Sequence, residues 1–360
     1  MKILIVGAGI SGLAAAHYLR EHEVTIVEKS DRPGGWIKTV HQDGFLFELG
    51  PRGFRPMPNT LELSEGLDLI QSPLKKRYLL QNNKLKPFSP LLLLRHGLLN
   101  DLFTKPCPDE DESIADFFAR HFSKSFVENI VDPAVKGIFG GDPKELSMRS
   151  CFPTVWKRDQ EKGTLLHFPK GKPTLHSFKQ GMEELPKKLA QGKNIQYNTE
   201  FRGEFDADVT IITTPYGMTT PRLSLTTVSM GWHKAELPKP GFGFLVPSKE
   251  KKPFLGMTWD SEVFPQQRGK TRICIMMLEP NERVALEAAK EYLGLPTPDS
   301  LIMHTAENAI PQYRLNHHKE LAAVRAKLPP NVYLIGSGTD GVAINDCITT
   351  AKNLSFKLLS

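Results

Sequence analysis

Apolar and polar positions divide the chain into a strand–helix–strand opening, a long mixed middle, and a similar unit at the end. Residues 3–6 are a short branched apolar run bounded by glycine, the pattern of a buried strand. Residues 13–19 suit a helix, and residues 24–27 form a second strand ending on Glu28. Residues 37–40 and 45–49 alternate across Asp43-Gly44 and predict a hairpin. Residues 59–69 read as a helix capped by Asn59, and residues 75–80 and 84–87 as a hairpin turning at Asn82-Asn83. Ser113 caps a helix to Arg120, residues 126–135 are helical with Pro133 as a kink or stop, and residues 137–143 are a loop. A further helix starts at Ser147. Residues 175–189 read as a helix broken by Gly181 and Pro186, followed by strands at 195–198 and 209–213. Short strands at 226–230, 243–246, 256–259 and 271–277 alternate with Pro/Gly turns, as in a mixed sheet inserted into the first domain. Helices follow at 282–293 and 317–328. Strand 332–336, glycine loop 337–341 and helix 346–354 close the chain much as it opened.

Composition narrows this little. A chain of 360 residues, 40% hydrophobic and 24% charged, has length for two or three domains and can bury cores without disulfides or metals. Cys107, Cys151, Cys274 and Cys347 are scattered, so neither a zinc site nor a disulfide framework is expected. His317 and His318 are adjacent and do not share a helix face, so no metal pair is read there. The net charge of +6 suits an acidic ligand or an anionic membrane surface, and equally nothing in particular. The chain starts directly on a strand, and its longest aliphatic run, 91–94, is too short to span a bilayer. A reducing cytoplasm is the expected setting, with no nucleic-acid partner. Residues 90–103 are strongly apolar but interrupted by Arg95, His96, Asn100 and Asp101. They fit a core helix pair or an amphipathic segment in a membrane interface.

The candidate chemistry starts in the first turn. Gly7, Gly9 and Gly12, with Ala8, Ile10 and Ser11 between and after them, form G-x-G-x-x-G after a strand and before a helix. That arrangement points backbone N–H groups and the helix dipole at a pyrophosphate. Glu28, 21 residues after Gly7, stands where an acid receives ribose hydroxyls. Arg32, Gly34, Gly35 and Trp36 continue as R-x-G-G-W, a second glycine turn that suits FAD better than NAD. The loop Gly50, Pro51, Arg52, Gly53, Phe54, Arg55, Pro56 could lie along a flat or anionic ligand. The helix after the 337–341 loop could stabilise negative charge at the N1/O2 edge of a reduced flavin. Arg77 is either solvated or a bidentate partner for a carboxylate.

These residues together resemble the protoporphyrinogen oxidase family, within the superfamily of monoamine oxidases and phytoene desaturases. G-A-G-I-S-G-L-A-A-A is shared across the superfamily. G-P-R-G-F-R-P, G-D-P-K-E-L-S-M-R-S-C-F-P and A-I-P-Q-Y are more specific, and the resemblance covers most of the chain. It implies an α/β fold: a FAD-binding Rossmann-like domain (1–75, 172–217, 331–360), an inserted mixed-sheet substrate domain (76–90, 147–171, 218–330) and a helical membrane-docking domain (91–146). It implies that Gly7 to Gly12 and Glu28 hold the ADP half of FAD, with Phe201 contacting adenine through its backbone. Trp36, Gly50, Pro51, Arg52 and Gly53 would lie along the flavin half. Ser337, Val342, Ala343 and Ile344 would border the isoalloxazine, and Arg77 would pair with a substrate propionate.

The implied reaction removes a hydride from a porphyrinogen meso carbon and a proton from a pyrrole nitrogen, three times over. Oxygen is then reduced to hydrogen peroxide. The implied setting is peripheral on the inner face of the cell membrane, with a homodimer left open. No catalytic side chain is demanded. The chain is short for this family, with losses around 166–205 and in the second domain, which leaves coproporphyrinogen III as an alternative substrate. An amine oxidase, a carotenoid desaturase and a non-catalytic protein like Rab GDP-dissociation inhibitors are the remaining rivals.

Overall fold

A computed structural model describes residues 1–73, 76–88, 101, 103–165 and 174–359. In chain order it contains β1 (Lys2–Val6), α1 (Ile10–Tyr18), β2 (Glu23–Val27), β3 (Thr39–Gln42), β4 (Phe45–Glu48), α2 (Pro58–Leu63), β5 (Leu69–Gln71), β6 (Arg77–Gln81) and β7 (Lys84–Pro87). Helices α3 (Ile114–His121), α4 (Asp132–Phe139), α5 (Met148–Cys151) and α6 (Pro153–Lys162) follow, then β8 (His176–Phe178), α7 (Glu184–Ala190), β9 (Asn194–Gln196) and β10 (Val209–Ile212). The remainder is β11 (Arg222–Trp232), β12 (Gly243–Leu245), β13 (Gly256–Thr258), α8 (Asp260–Val263), β14 (Thr271–Met277), α9 (Glu282–Leu293), β15 (Ser300–Pro311), α10 (His317–Lys327), β16 (Val332–Leu334) and α11 (Ile344–Leu359).

Two sheets organise these elements. The first is parallel, in the order β16-β10-β1-β2-β9. Its core joins Ile3, Ile5, Ile26 and Ile211 to the alanine-rich face of α1 and to Ile348 and Ala351 of α11. Each fully buried isoleucine contributes about 1.5–3 kcal/mol. The second sheet is mixed, in the order β15-β11-β14-β13-β12-β6-β7. One of its faces, with Tyr78, Phe244, Met257, Ile275 and Val228 in a cross-strand row, packs on α9. Helices α3 to α6 enclose a separate core of Ile114, Phe117, Val135, Phe139 and Trp156. Beside it, His121 lies fully buried between Asp101 (2.6 Å) and Asp159 (3.1 Å).

Several expected elements are shaped differently. The helix expected over 59–69 is only α2, with Met57 and not Asn59 at its cap. Gly66, at φ +80°, turns the chain into β5. Residues 176–178 pair with β5 as a strand, so the helix expected over 175–189 shrinks to α7, which starts after Gly181 at φ +106°. Pro133 lies within a continuous helical stretch, just after a π-helical segment (Val127–Val131) that marks the irregularity expected there, and α4 runs on to Phe139 instead of yielding a loop from 137. β15, a long edge strand, was not expected at all. The apolar stretch 90–103 falls almost entirely outside the described residues, as do the turn at 168–171 and residue 75 of the expected hairpin.

Candidate cofactor and substrate site

Two glycine turns meet at the carboxyl ends of β1 and β2. Gly7 leaves β1 at φ +100°. A Cβ on Gly12 would stand 2.0 Å from the Gly7 carbonyl oxygen, so only glycine lets α1 lean this close on the strand. Gly34, at φ +108°, donates its N–H to the Ala8 carbonyl at 2.8 Å and closes the second turn over the first. Arg32 braces that turn. Its guanidinium donates to the carbonyls of Pro33 and Ile37 (both 3.1 Å) and Gly35 (2.7 Å), and pairs with Glu183 (3.4 Å). Gly9 caps α1, no side chain accepts from the first-turn N–H groups of this helix, and a Cβ at Gly9 would meet open space. Ile10, Ser11 and Gly12 form that first turn, which is built for an anion.

Glu28 is buried at the mouth. One carboxylate oxygen accepts the Ala8 N–H (2.7 Å); the other accepts the N–H (2.9 Å) and hydroxyl (2.7 Å) of Ser30. Thr199 donates its N–H to the Glu28 carbonyl at 2.9 Å, which brings the chain to Phe201 alongside. The Phe201 ring packs against Phe205 and Tyr216.

The other predicted residues are linked to these turns through Trp36 and the 50–56 loop. A Cβ on Gly50 would lie 1.9 Å from the Trp36 carbonyl oxygen, so these two backbones touch while the Trp36 ring stays exposed. Pro51 and Gly53 are half-buried, and Arg52 turns inward to Asp260, with Nε–Oδ1 at 3.2 Å. The Arg55 carbonyl accepts from Asn345 Nδ2 at 3.0 Å, which ties the 50–56 loop to the first turn of α11. Ser337, Val342, Ala343 and Ile344 lie on the segment entering that turn. Glu48, fully buried, accepts from the Met182 N–H (2.7 Å) and the Thr39 hydroxyl (2.9 Å), and burial pushes its pKa up to about 8.

The second sheet turns its other face toward this end. Register places Arg77, Gly243, Thr258, Cys274 and Ser229 in one row and Leu79, Leu245, Gly256, Met276 and Thr227 in the next-but-one. Arg77 is exposed at the rim, its guanidinium 5.0 Å above the Phe242 ring. Desolvation, then the neighbouring Arg55 charge, lowers its pKa. α4 covers this face closely, since a Cβ on Gly137 would come within 2.8 Å of Leu245. Leu245, Thr258, Met276 and Asp260 were not singled out from sequence. Strand alternation marks the first three, but only the strand order shows that they line one wall. A separate depression of about 660 Å³, lined by Leu328, Tyr333, Asn353 and Lys357, lies at the free edge of β16 and holds none of these groups.

The family model for flavin containing amine oxidoreductase matches residues 10–203. Protoporphyrinogen oxidase of Bos taurus is 30% identical over an alignment covering 99% of this chain and 98% of that protein. That alignment has 470 positions, so at least 110 of them have no counterpart among the 360 residues here. Coproporphyrinogen III oxidase of Staphylococcus aureus is 25% identical, covering 98% of this chain and 97% of that one. A crystal structure of an Exiguobacterium sp. 255-15 protein, provisionally assigned to the protoporphyrinogen oxidases, superposes with a TM-score of 0.82 at 21% identity, covering 99% and 98% of the two chains.

Proposed function

The chain belongs to the flavin containing amine oxidoreductases as a homologue of the protoporphyrinogen oxidases, its cofactor is FAD, and we propose that it oxidises protoporphyrinogen IX to protoporphyrin IX in haem synthesis. The observation that carries this reading is the register that sets Leu245, Thr258 and Met276 on one sheet face with Arg77 at its edge, joined to the 50–53 loop through the Arg52–Asp260 pair. Gly7 to Gly12 would hold the pyrophosphate, Glu28 the ribose, and the backbone at Phe201 the adenine. Trp36, the 50–53 loop, Ser337 and residues 342–344 would border the flavin.

Bound FAD supplies the hydride acceptor. Arg77 would fix a substrate propionate by a bidentate, charge-assisted bond. Leu245, Thr258 and Met276 would hold the macrocycle flat, and α4 would keep water off it. Positioning is the main task, because the aromaticity of the final macrocycle helps drive the overall oxidation. Over three steps three hydrides leave meso carbons, and three protons leave as well, two from pyrrole nitrogens and one from the fourth meso carbon; molecular oxygen is the proposed final acceptor, each two-electron step giving one hydrogen peroxide. Arg55 beside Arg77 offers a second cation at the same end. That suits the two propionates of protoporphyrinogen, whereas coproporphyrinogen III carries four carboxylates.

The separate cores of the two sheets and of α3 to α6 support the three-domain division proposed from sequence. Phe103, 84% exposed beside the apolar 90–103 stretch, supports peripheral docking of the helical region on the inner face of the cell membrane. Among the described residues no helix is long and apolar enough to cross a membrane.

The test is porphyrin fluorescence after mixing FAD-loaded protein with protoporphyrinogen IX or coproporphyrinogen III in air. A faster rise with protoporphyrinogen is expected. A preference for coproporphyrinogen would move the substrate assignment, and no enzyme-dependent rise with either would overturn the proposal.

A further inference from the structure

The A-I-P-Q-Y stretch at the end of β15 supplies no group to the glycine turns or the sheet face, yet its last residue reaches the 337–341 loop. Tyr313 is fully buried. Its hydroxyl donates to the Ser337 carbonyl at 2.5 Å and accepts the Gly341 N–H at 3.2 Å, so one oxygen bridges the two ends of that loop. Its ring stacks on His317, with centroids 4.2 Å apart and planes 19° from parallel. His317 Nε2 lies 3.0 Å from the Thr339 carbonyl and Nδ1 lies 3.1 Å from the Thr220 hydroxyl. A carbonyl can only accept, so Nε2 carries the proton; the Thr220 hydroxyl lies between His317 Nδ1 and the Glu320 carboxylate, 3.2 Å away. Desolvation lowers the His317 pKa and favours this neutral form. Ser337, Thr339 and Gly341 are therefore held by two stacked rings.

The same short segment grips the helical region. The Tyr313 carbonyl accepts the Ser147 N–H at 2.8 Å, and Ser147 is the cap of α5. Gln312 donates from Nε2 to the Phe139 carbonyl at 2.8 Å, where α4 ends. A Cβ on Gly141 would strike Gln312 Oε1 at 1.9 Å, so that side chain has a single fitted position.

We propose that Tyr313 and His317 are positioning residues for the flavin, acting through the 337–341 loop and the first turn of α11. The proposal rests on the reading above that Ser337 and residues 342–344 border the isoalloxazine. The loop sets where the N–H groups and partial positive charge of α11 sit, and these favour the negative charge of the reduced flavin. Loss of the bridging hydroxyl frees both loop ends and weakens that stabilisation.

The test uses full-length, FAD-loaded protein without substrate. Tyr313→Phe keeps the stacked ring and removes only the hydroxyl. The expected result is a more negative two-electron potential by dye equilibration, an altered visible flavin spectrum, and a FAD dissociation constant raised about tenfold, the size of one lost buried hydrogen bond. His317→Gln, whose amide can still donate to Thr339, should keep the spectrum and potential close to wild type, while His317→Ala should shift both. Gly341→Ala disturbs the loop directly, because its φ is +137° and the new Cβ would meet Asp346 at 2.5 Å. A shift with Gly341→Ala but none with Tyr313→Phe or His317→Ala would leave the loop at the flavin and overturn the role of the two rings. No shift with any of them would overturn the inference together with the placement of the loop. None of these readouts depends on which porphyrinogen is oxidised, so failure of the substrate assignment would leave the result intact.

Discussion

Replacing Asp260 with alanine would leave the Arg52 guanidinium in the protein interior without its partner. The two side chains are 14% and 8% exposed, so solvent screens the pair weakly. Removing one member of such a pair costs about 3–5 kcal/mol, most of it the desolvation of the charge left behind. The Thr258 hydroxyl, which donates to Asp260 at 2.6 Å, loses its acceptor as well, for about 1 kcal/mol more. Asp260→Asn keeps an oxygen for Thr258 and for Arg52 but leaves the guanidinium without its counter-charge, so a loss smaller than that of the alanine variant, yet still above about 1 kcal/mol, is expected. Urea unfolding of the apoprotein, followed by tryptophan fluorescence, reads both; Trp259 adjoins the altered residue and caps α8. Because Arg52 carries the 50–53 loop, FAD affinity should fall in the same order, alanine more than asparagine. A loss below about 1 kcal/mol for the alanine variant would show that water replaces the carboxylate. Equal losses for the two variants would show that the charge, which both lack, holds the loop and that the hydrogen bond to Thr258 adds nothing.

Arg77→Ala should raise the substrate KM about 10–100-fold with kcat little changed, as for a lost charge-assisted bond of about 1.5–3 kcal/mol; an unchanged KM would remove Arg77 from the substrate site. Gly12→Ala should abolish or severely weaken FAD binding by fluorescence titration, since its Cβ would overlap the Gly7 carbonyl; wild-type affinity would refute the close-packing argument. Glu48 has a folded pKa raised from about 4.5 to about 8, so the stability that its protonated form contributes is whole below about pH 4.5 and is lost as pH rises through 8. Wild-type stability measured against Glu48→Gln should therefore decline across that window, and parallel pH profiles for the two proteins would contradict the burial argument.

The parts legible in sequence are those whose partners are near in the chain. The opening turn was readable because its contacts, Gly12 on Gly7 and both Gly34 and Glu28 on Ala8, fall within 30 residues, and each demand falls on a residue type with few substitutes. The hairpins at Asp43-Gly44 and Asn82-Asn83 were readable for the same reason: φ is positive at all four residues. Where pairing partners are distant, pattern failed. Residues 176–178 carry helix-like spacing but add to β5, a hundred residues earlier. β15 mixes His304, Glu307 and Asn308 into a strand because it is an edge, buried irregularly along its length. The arginine of the 50–53 loop was read with its ligand-facing loop, and nothing local marks Asp260, 208 residues away, as its partner.

That contrast changes what the resemblance can be used for. The stretches that made the family recognisable are largely joints. Gln312 and Tyr313 tie β15 to α4, α5 and the loop before α11, while Ser147 caps α5 and pairs with Ser113 at the start of α3. A joint constrains residue type tightly because its groups are buried and every polar atom needs its partner. The proposed substrate wall makes fewer such demands: Leu245 and Met276 need only be the right size and uncharged. On the proposed function, the motifs report the scaffold and the flavin chemistry, whereas substrate choice would be set by the residues around Arg77. A chain that retains every joint but lacks at least 110 aligned positions can keep the reaction and still take a different porphyrinogen. Exchanging side chains on that wall, with the joints left intact, should change substrate preference without changing the flavin spectrum.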